Sequence, residues 1–414
     1  LTAGTGEAYA VLLEDSPAAV VDRNSLCALN AERAAAVRIT GKATSVRVSR
    51  NWVDAWGPSE QSSAVLADDC EGDAPWIRDN LGLYASGDNA SASVSTVAAF
   101  GDCHPVIEDN HIYGGSEGGA AATTGVHCGS SAQSSIASRC AIIDNPLIQP
   151  AQFGVPPAST GVRCDDGACL RVSGNVIDAR AGVRTRGLVL ARTGPRVSGN
   201  EIRGGCGTNT SFGVTATDSW ARLDNNRIFA GACPNGGDTQ GLYIGINSVV
   251  LDGPAELDVH SNHIDGDGSP VTCRSAGISM VPGPVAPAAG TGRFRNNIIR
   301  AGRCSTAHGI EELGIASDPS VLWNNDLAPL DSPTGLYRDE GATDLTDIAQ
   351  VNALTDLSAQ ANLSADPQQV NYPSDLHLAT GSVCIDAGTA AGAPATDMDG
   401  HPRDATPDIG PDEL

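Results

Sequence analysis

Eight arginines crowd residues 163–203 (Arg163, Arg171, Arg180, Arg184, Arg186, Arg192, Arg196 and Arg203) against four acids, in a chain whose net charge is −24. Guanidinium forks grip carboxylates and hydroxyls, so such a face has the chemistry to hold a glycan. In a polysaccharide lyase an arginine or lysine also serves as the base. Within VRTRGLVL, strand alternation turns Arg184 and Arg186 to one side. The position after each Gly–aliphatic pair forms a column: His127, Arg163, Val189, Thr215, Tyr243, Ser279 and Glu311. Arg163, Arg184, Arg186 and Tyr243 are the candidate glycan contacts. The simpler expectation is that the arginines neutralise acidic neighbours on a solvated surface.

A glycosidase needs two carboxyl groups on one surface. The doublets Asp68–Asp69 and Asp165–Asp166 offer them, but both lie beside cysteines in expected loops. The NTD, DD, GHG and RIK set of polygalacturonases is absent, as are the DPHD motif of alginate-modifying epimerases, a GxSxG elbow and a nucleotide loop. No catalytic residue is assigned. If the chain is an enzyme, it is a polysaccharide lyase or glycoside hydrolase. DGDG at 265–268, with Asp265 and Asp267, and DMDG at 397–400 are calcium-like fragments without full EF-hand spacing, and both are expected to be turns. His260, His263 and Asp265 give H-x-x-H-x-D on a turn rather than a helix, a poor zinc motif. No cofactor is expected, calcium at Asp265 and Asp267 being the one candidate.

A repeat positions these side chains. An aliphatic–x–x–Asn–x–aliphatic unit recurs eleven times, at Asn24, Asn51, Asn80, Asn110, Asn145, Asn175, Asn200, Asn226, Asn262, Asn297 and Asn325, at intervals of 25 to 36 residues. All eleven positions three before the Asn are apolar, and ten of the eleven two after it are aliphatic, Gly82 being the exception. The unit is too short for a helical face and rich in β-branched residues, so it reads as strand. Upstream stand GVHC at 125, GVRC at 161, GLVL at 187, GVTA at 213, GLYI at 241, GISM at 277 and GIEE at 309, each a glycine opening period-two alternation. Two or three short strands per repeat, stacked about 4.8 Å apart, make a parallel β-helix of about eleven coils. At each corner Asn tolerates the left-handed bend, and stacked Asn amides can bond up and down a ladder.

The twelve cysteines include no CxxC, which favours an oxidised, exported protein over a metal site. Pairs one coil apart suggest Cys70–Cys103, Cys140–Cys169, Cys206–Cys233, Cys273–Cys304 and, least firmly, Cys128–Cys164. Cys27 and Cys384 are left over, bonded between molecules, joined by a returning tail, or free.

Composition supports the same picture. Aromatic residues are only 4% while apolar content is 41%, which suits a core of many small aliphatic contributions. So acidic a chain will not track nucleic acid, and no apolar run is long enough to span a bilayer. Leu1 opens a chain that reads as mature, after signal-peptide removal.

After Asn325 the expected repeat stops, and residues 335–414 carry fourteen acids against two bases. ANLSADPQQV, DLHLATGSVCIDAGT and DMDGHPRDATPDIGPDE resemble the C-terminal module of exported bacterial right-handed parallel β-helix proteins, of IDAG…DIGAxE type, over about 80 residues. Val383 stands where that module usually has proline, and Pro411 where it has alanine. The resemblance implies the pectate-lyase-like superfold, right-handed, secreted or surface-bound and bacterial. It implies no particular activity.

The expectation is therefore an all-β chain: a right-handed parallel β-helix over 1–334 and an irregular cap over 335–414, covering the open edge of the last coil. Its expected role is an extracellular structural rod that associates with itself end to end into filaments. Strand-like AYAVLL within ten residues of Leu1, and Cys27 and Cys384 at opposite ends, motivate that role. The alternative is a polysaccharide partner, bound or cleaved through the arginine face.

Overall fold

The computed structural model describes residues 4–29, 31–57, 61–87, 93–115, 121–130, 136–153, 155–231, 237–245, 256–267, 273–282, 291–314, 317–328 and 334–414. Internal contacts divide the chain into two compact units, residues 1–195 with 203–207, and residues 196–202 with 208–414. Each is an all-β parallel solenoid. Among the described residues no helix is long and apolar enough to cross a membrane.

In the first unit, sheet A holds Gly4–Glu14, Ala31–Thr40, Gln61–Asp68, Ser93–Phe100, Ala122–Gly129, Ala158–Asp165 and Ala181–Ala191, parallel and in chain order. Sheet B is made of three-residue strands centred on the aliphatic before each Asn, from Val20–Asp22 to Arg171–Ser173. Sheet C carries the strands after it, from Ser25–Leu29 to Val176–Asp178. Among the described residues the first unit has six complete coils and the second has four, close to the eleven expected along the whole chain.

The repeat explains the core. Val48, Ile77, Ile107, Ile142 and Val172 pair in register and are wholly buried. Each buried aliphatic contributes about 1.5–3 kcal/mol, and one is added per coil, so large aromatic anchors are unnecessary. Gly82, the exception in the sequence pattern, is explained by register. Val53 pairs with Leu83, and Leu83 with Ile112, so the inward residue of that coil comes one position later. Ile148 replaces Leu147 in the same way.

The asparagines do not occupy the left-handed corner, as the sequence suggested. The residue before each one does, with φ between 51° and 67° at all eleven corners, from Arg23 to Asn324. This frees the Asn amide to point along the stack. Asn51 N and Nδ2 both donate to Asn80 Oδ1, at 3.0 and 3.1 Å. Asn80 repeats this with Asn110, and Asn110 with Asn145. Each Nδ2 also reaches the preceding coil, as Asn110 Nδ2 does to Ile77 O at 2.8 Å. In the second unit Asn226, Asn262, Asn297 and Asn325 stack identically.

That ladder continues beyond the last expected rung. Asn325 donates to Asn362, and Asn362 to Asn352, whose own amide returns to Asn362 O at 2.9 Å. Asn352 ends the helix Ile348–Asn352, so the helix closes the ladder. Thr343–Leu345 runs antiparallel beside Gly335–Asp339, the last parallel strand of sheet A. Residues 335–363 therefore blunt the edge.

Residues 364–414 do not sit over the open edge of the last coil. They run back along the side of the second unit's coils. Here the doublets Asn225–Asn226, Asn296–Asn297 and Asn324–Asn325 divide their work: the second Asn joins the ladder, and the first, in the left-handed corner, binds the tail. Asn324 Nδ2 donates to Ala387 O, Asn296 Nδ2 to Thr389 O and Asn225 Nδ2 to Thr396 O. Leu378, Cys384 and Ile409 bury themselves against Ile298 and Ala328. Arg403, 2% exposed, donates to Glu413, Gly410 O and Asn225 Oδ1.

The disulfides partly follow the spacing. Cys70–Cys103 and Cys273–Cys304 join neighbouring coils. Cys128 instead bonds Cys140, and Cys164 bonds Cys169. Cys128 and Cys164 do stack in register, but each points inward beside its own coil's next corner, where a nearer cysteine waits. Cys206 is an exposed free thiol, and its expected partner Cys233 lies outside the described residues. Cys27 is free and exposed, whereas Cys384 is free and wholly buried. Burial between the tail and the coils keeps Cys384 out of reach of an intermolecular bond.

Candidate functional site

In the first unit's sheet-A strands, alternation breaks at two consecutive inward residues: Ala36–Val37, Ala64–Val65, Thr96–Val97, Gly125–Val126 and Gly161–Val162. Such a break bends a strand. The first residue of each pair is small because it faces sheet C. A Cβ on Gly161 would collide with Ile177 Cγ2 and Gly187 O, while the Thr96 hydroxyl bonds Tyr113 O at 3.0 Å. The outer face is hollowed into a groove of about 610 Å³ crossing the strands from Gly4–Glu14 to Ala122–Gly129. Ala35, Ser63 and Ser95 keep its floor low, while Arg33, Arg38, Asp68, Phe100 and His127 furnish it.

The residues at its centre are held by one another. Arg38 donates to both oxygens of Asp68, at 3.2 and 3.0 Å, and to Glu7 at 3.1 Å. Its guanidinium also bonds the Tyr9 hydroxyl, which donates to Glu7, and lies 5.3 Å from the centre of the Tyr9 ring. The Asp68 hydrogen bonds push Arg38 further towards its protonated form. A guanidinium held in its protonated form this way is unsuited to act as a lyase base. Phe100 meets His127 edge to face at 5.0 Å. His127 Nε2 lies 3.0 Å from Asp165 Oδ2, which also accepts from Arg163 Nε at 2.6 Å. Burial alone would raise the Asp165 carboxyl, but the His127 and Arg163 bonds outweigh it and hold the group below the usual range. It is unsuited to act as a general acid.

The expected column exists: Arg38, Leu66, Ala98, His127, Arg163 and Val189 pair in register on successive strands. Arg163, Arg184 and Arg186 share the outer face, Arg184 exposed and Arg186 half-buried, but the groove is lined from the earlier strands. Several arginines of 163–203 are matched with acids: Arg163 with Asp165, Arg192 with Asp166 and, in the second unit, Arg196 with Asp224. The neutralising role expected of that stretch accounts for these contacts. Tyr243 belongs to the second unit, where it stacks on Phe212 at 5.3 Å and 7°.

Reading from GVHC onward missed Glu7, Tyr9 and Arg38, and Asp68 was weighed only with Asp69 as a glycosidase doublet, not as the partner of an arginine. The strands Ala31–Thr40, Gln61–Asp68 and Ser93–Phe100 carry Ala–Val or Thr–Val where Ala122–Gly129 and Ala158–Asp165 carry Gly–Val, and that substitution at the bend was the available signal.

The acidic fragments separate. Asp265 is buried and accepts from Tyr372 OH and from Asp267 N, and burial raises its carboxyl. His260 is pushed down to about 3, first by burial, and contacts Ala391 O at 3.3 Å. His263 is buried against Gln369. These residues anchor the tail. The second fragment lies elsewhere on this unit, in a hollow of about 240 Å³ lined by Arg227, Asp375, His377, Met398 and Asp399. His377 Nε2 lies 2.7 Å from Asp399, and hydrogen bonds to Asp375 and then Asp399 raise it to about 9.

Fold and groove together define a disulfide-bonded parallel β-solenoid with a polar and aromatic cleft on one sheet. Compared with known proteins, the chain matches no family model and no curated relative.

Proposed function

We propose that this protein is an extracellular glycan-binding solenoid that lays a neutral polysaccharide strand along the sheet-A groove of its first unit. The observation that carries the reading is the groove itself. It crosses five successive strands, about 19 Å at the sheet spacing, with aromatic edges and a fixed guanidinium above a floor of small residues. Acids and bases in the lining nearly balance, and Arg38 is already matched by Asp68 and Glu7. A hydroxyl-rich neutral chain suits this lining better than a polyuronate, which the −24 chain would repel. Four disulfides support an oxidising, exported setting. End-to-end filament formation has less support, since Thr343–Leu345 runs beside the last parallel strand and Cys384 is buried.

Affinity electrophoresis against neutral and acidic polysaccharides, followed by calorimetry on wild type and Arg38→Ala, tests the reading. Binding of a neutral polymer, weakened at least tenfold by the substitution and without new unsaturated-uronate absorbance, is expected. Equal binding by Arg38→Ala, or binding of polyuronates alone, would overturn it.

A further inference from the structure

In the loop 397–401 of the tail, one carboxylate oxygen is buried without a hydrogen-bond donor. Asp397 is fixed through one carboxylate oxygen: Oδ1 accepts from Asp399 N at 2.9 Å and His401 N at 2.8 Å. Its other oxygen, Oδ2, is sealed from solvent with no hydrogen-bond donor, on a side chain with no exposed surface. The group facing it is His401 Nδ1, at 3.4 Å, beyond a good hydrogen bond. Asp399 completes a set whose ligand atoms all lie within 4.8 Å of one another.

We propose that Asp397, Asp399 and His401 bind one divalent transition cation of the zinc class, with solvent completing its coordination. Two carboxylates and a neutral imidazole balance the charge of such an ion. With bonds near 2.0–2.2 Å, a tetrahedral zinc site separates its ligand atoms by about 3.3 Å, close to the 3.4 Å between Asp397 Oδ2 and His401 Nδ1. The imidazole selects a transition ion over calcium, which prefers an all-oxygen shell. An outer layer is in place. Asp399 Oδ2 contacts His377 Nε2 at 2.7 Å, and the far nitrogen of His377 is held by Asp375. The neighbouring Arg403 is ion-paired with Glu413 and acts on Asp397 through space, without a hydrogen bond to it. His401, 72% exposed, opens the site to solvent. The ion would tie the loop 397–401, through Asp399, to the segment Asp375–His377.

The test is calorimetric titration of the chelator-treated full chain with zinc chloride, and separately with calcium chloride. Wild type, His401→Ala and Asp397→Asn are compared, each checked for fold by the metal-free melting temperature. One zinc per chain is expected, weakened at least tenfold in both variants. His401→Ala, altering an exposed side chain, keeps the test decisive even if Asp397→Asn unfolds the loop. No zinc binding by wild type, undiminished binding by His401→Ala, or calcium bound more tightly than zinc overturns the proposal.

Discussion

Replacing Asn110 by alanine removes a rung from the middle of the ladder. Its Oδ1 accepts from Asn80 N at 3.2 Å and Asn80 Nδ2 at 2.8 Å, and its Nδ2 donates to Ile77 O, Glu108 O and Asn145 Oδ1. Asn80 Nδ2 keeps a second acceptor in Val48 O, but Asn80 N is left buried without one. Leaving a buried polar group unpaired costs about 1–3 kcal/mol. With Ile77 O losing its amide partner as well, the total is about 3–5 kcal/mol. Asn24 provides the control. It is exposed, its Nδ2 bonds Asp22 O and Asn51 Oδ1, and Asn24→Ala should cost less than about 1 kcal/mol. Solenoids do not always unfold in one step, so the assay is native-state hydrogen exchange at the Asn80 amide beside denaturant melts. Asn110→Ala should strip protection from that amide while Asn24→Ala leaves it unchanged. Equal costs for the two variants would refute the claim that the ladder's energy lies in its buried, doubly bonded rungs.

Two further outcomes follow from the buried groups. Glu312 is raised to about 9, first by burial and then by the Asp318 carboxyl, although it accepts from Tyr337. Its folded value exceeds its unfolded one, so its stabilising contribution is full below pH 4.5 and is lost as pH rises towards 9. Glu312→Gln should therefore raise the melting temperature at pH 8 more than at pH 5, and the reverse order would contradict this assignment. In native protein a thiol reagent should label Cys27 and Cys206 quickly and Cys384 only on unfolding, because burial raises and shields that thiol. Mass spectrometry locates the labels, and rapid Cys384 modification would place the tail wrongly.

The fold was legible because its pattern is written once per coil: the aliphatic before each Asn is buried wherever the sequence placed it, and the Gly–aliphatic column is a real outer-face row. What stayed hidden depended on contacts that sequence spacing does not encode. The left-handed corner falls on the residue before the Asn, a position filled by Arg, Asp, Gly, Ser or Asn, so no single residue type marks it. Asn362 escaped because Ala359 and Ser364 replace its flanking aliphatics. The cysteine pairings Cys128–Cys140 and Cys164–Cys169 are within-coil closures, invisible to a search for one-coil separations. The groove was missed because its first coils use alanine and threonine at the bend. The tail's course along the coils rests on corner asparagines whose partners lie tens of residues away or more.

The most direct test of the glycan-binding account is hydrogen–deuterium exchange with and without a neutral oligosaccharide that the protein retains in affinity gels. The account predicts new protection confined to the sheet-A strands from Gly4–Glu14 to Ala122–Gly129, abolished by Arg38→Ala. Protection centred on the arginines of 163–203, with these strands unchanged, would contradict it.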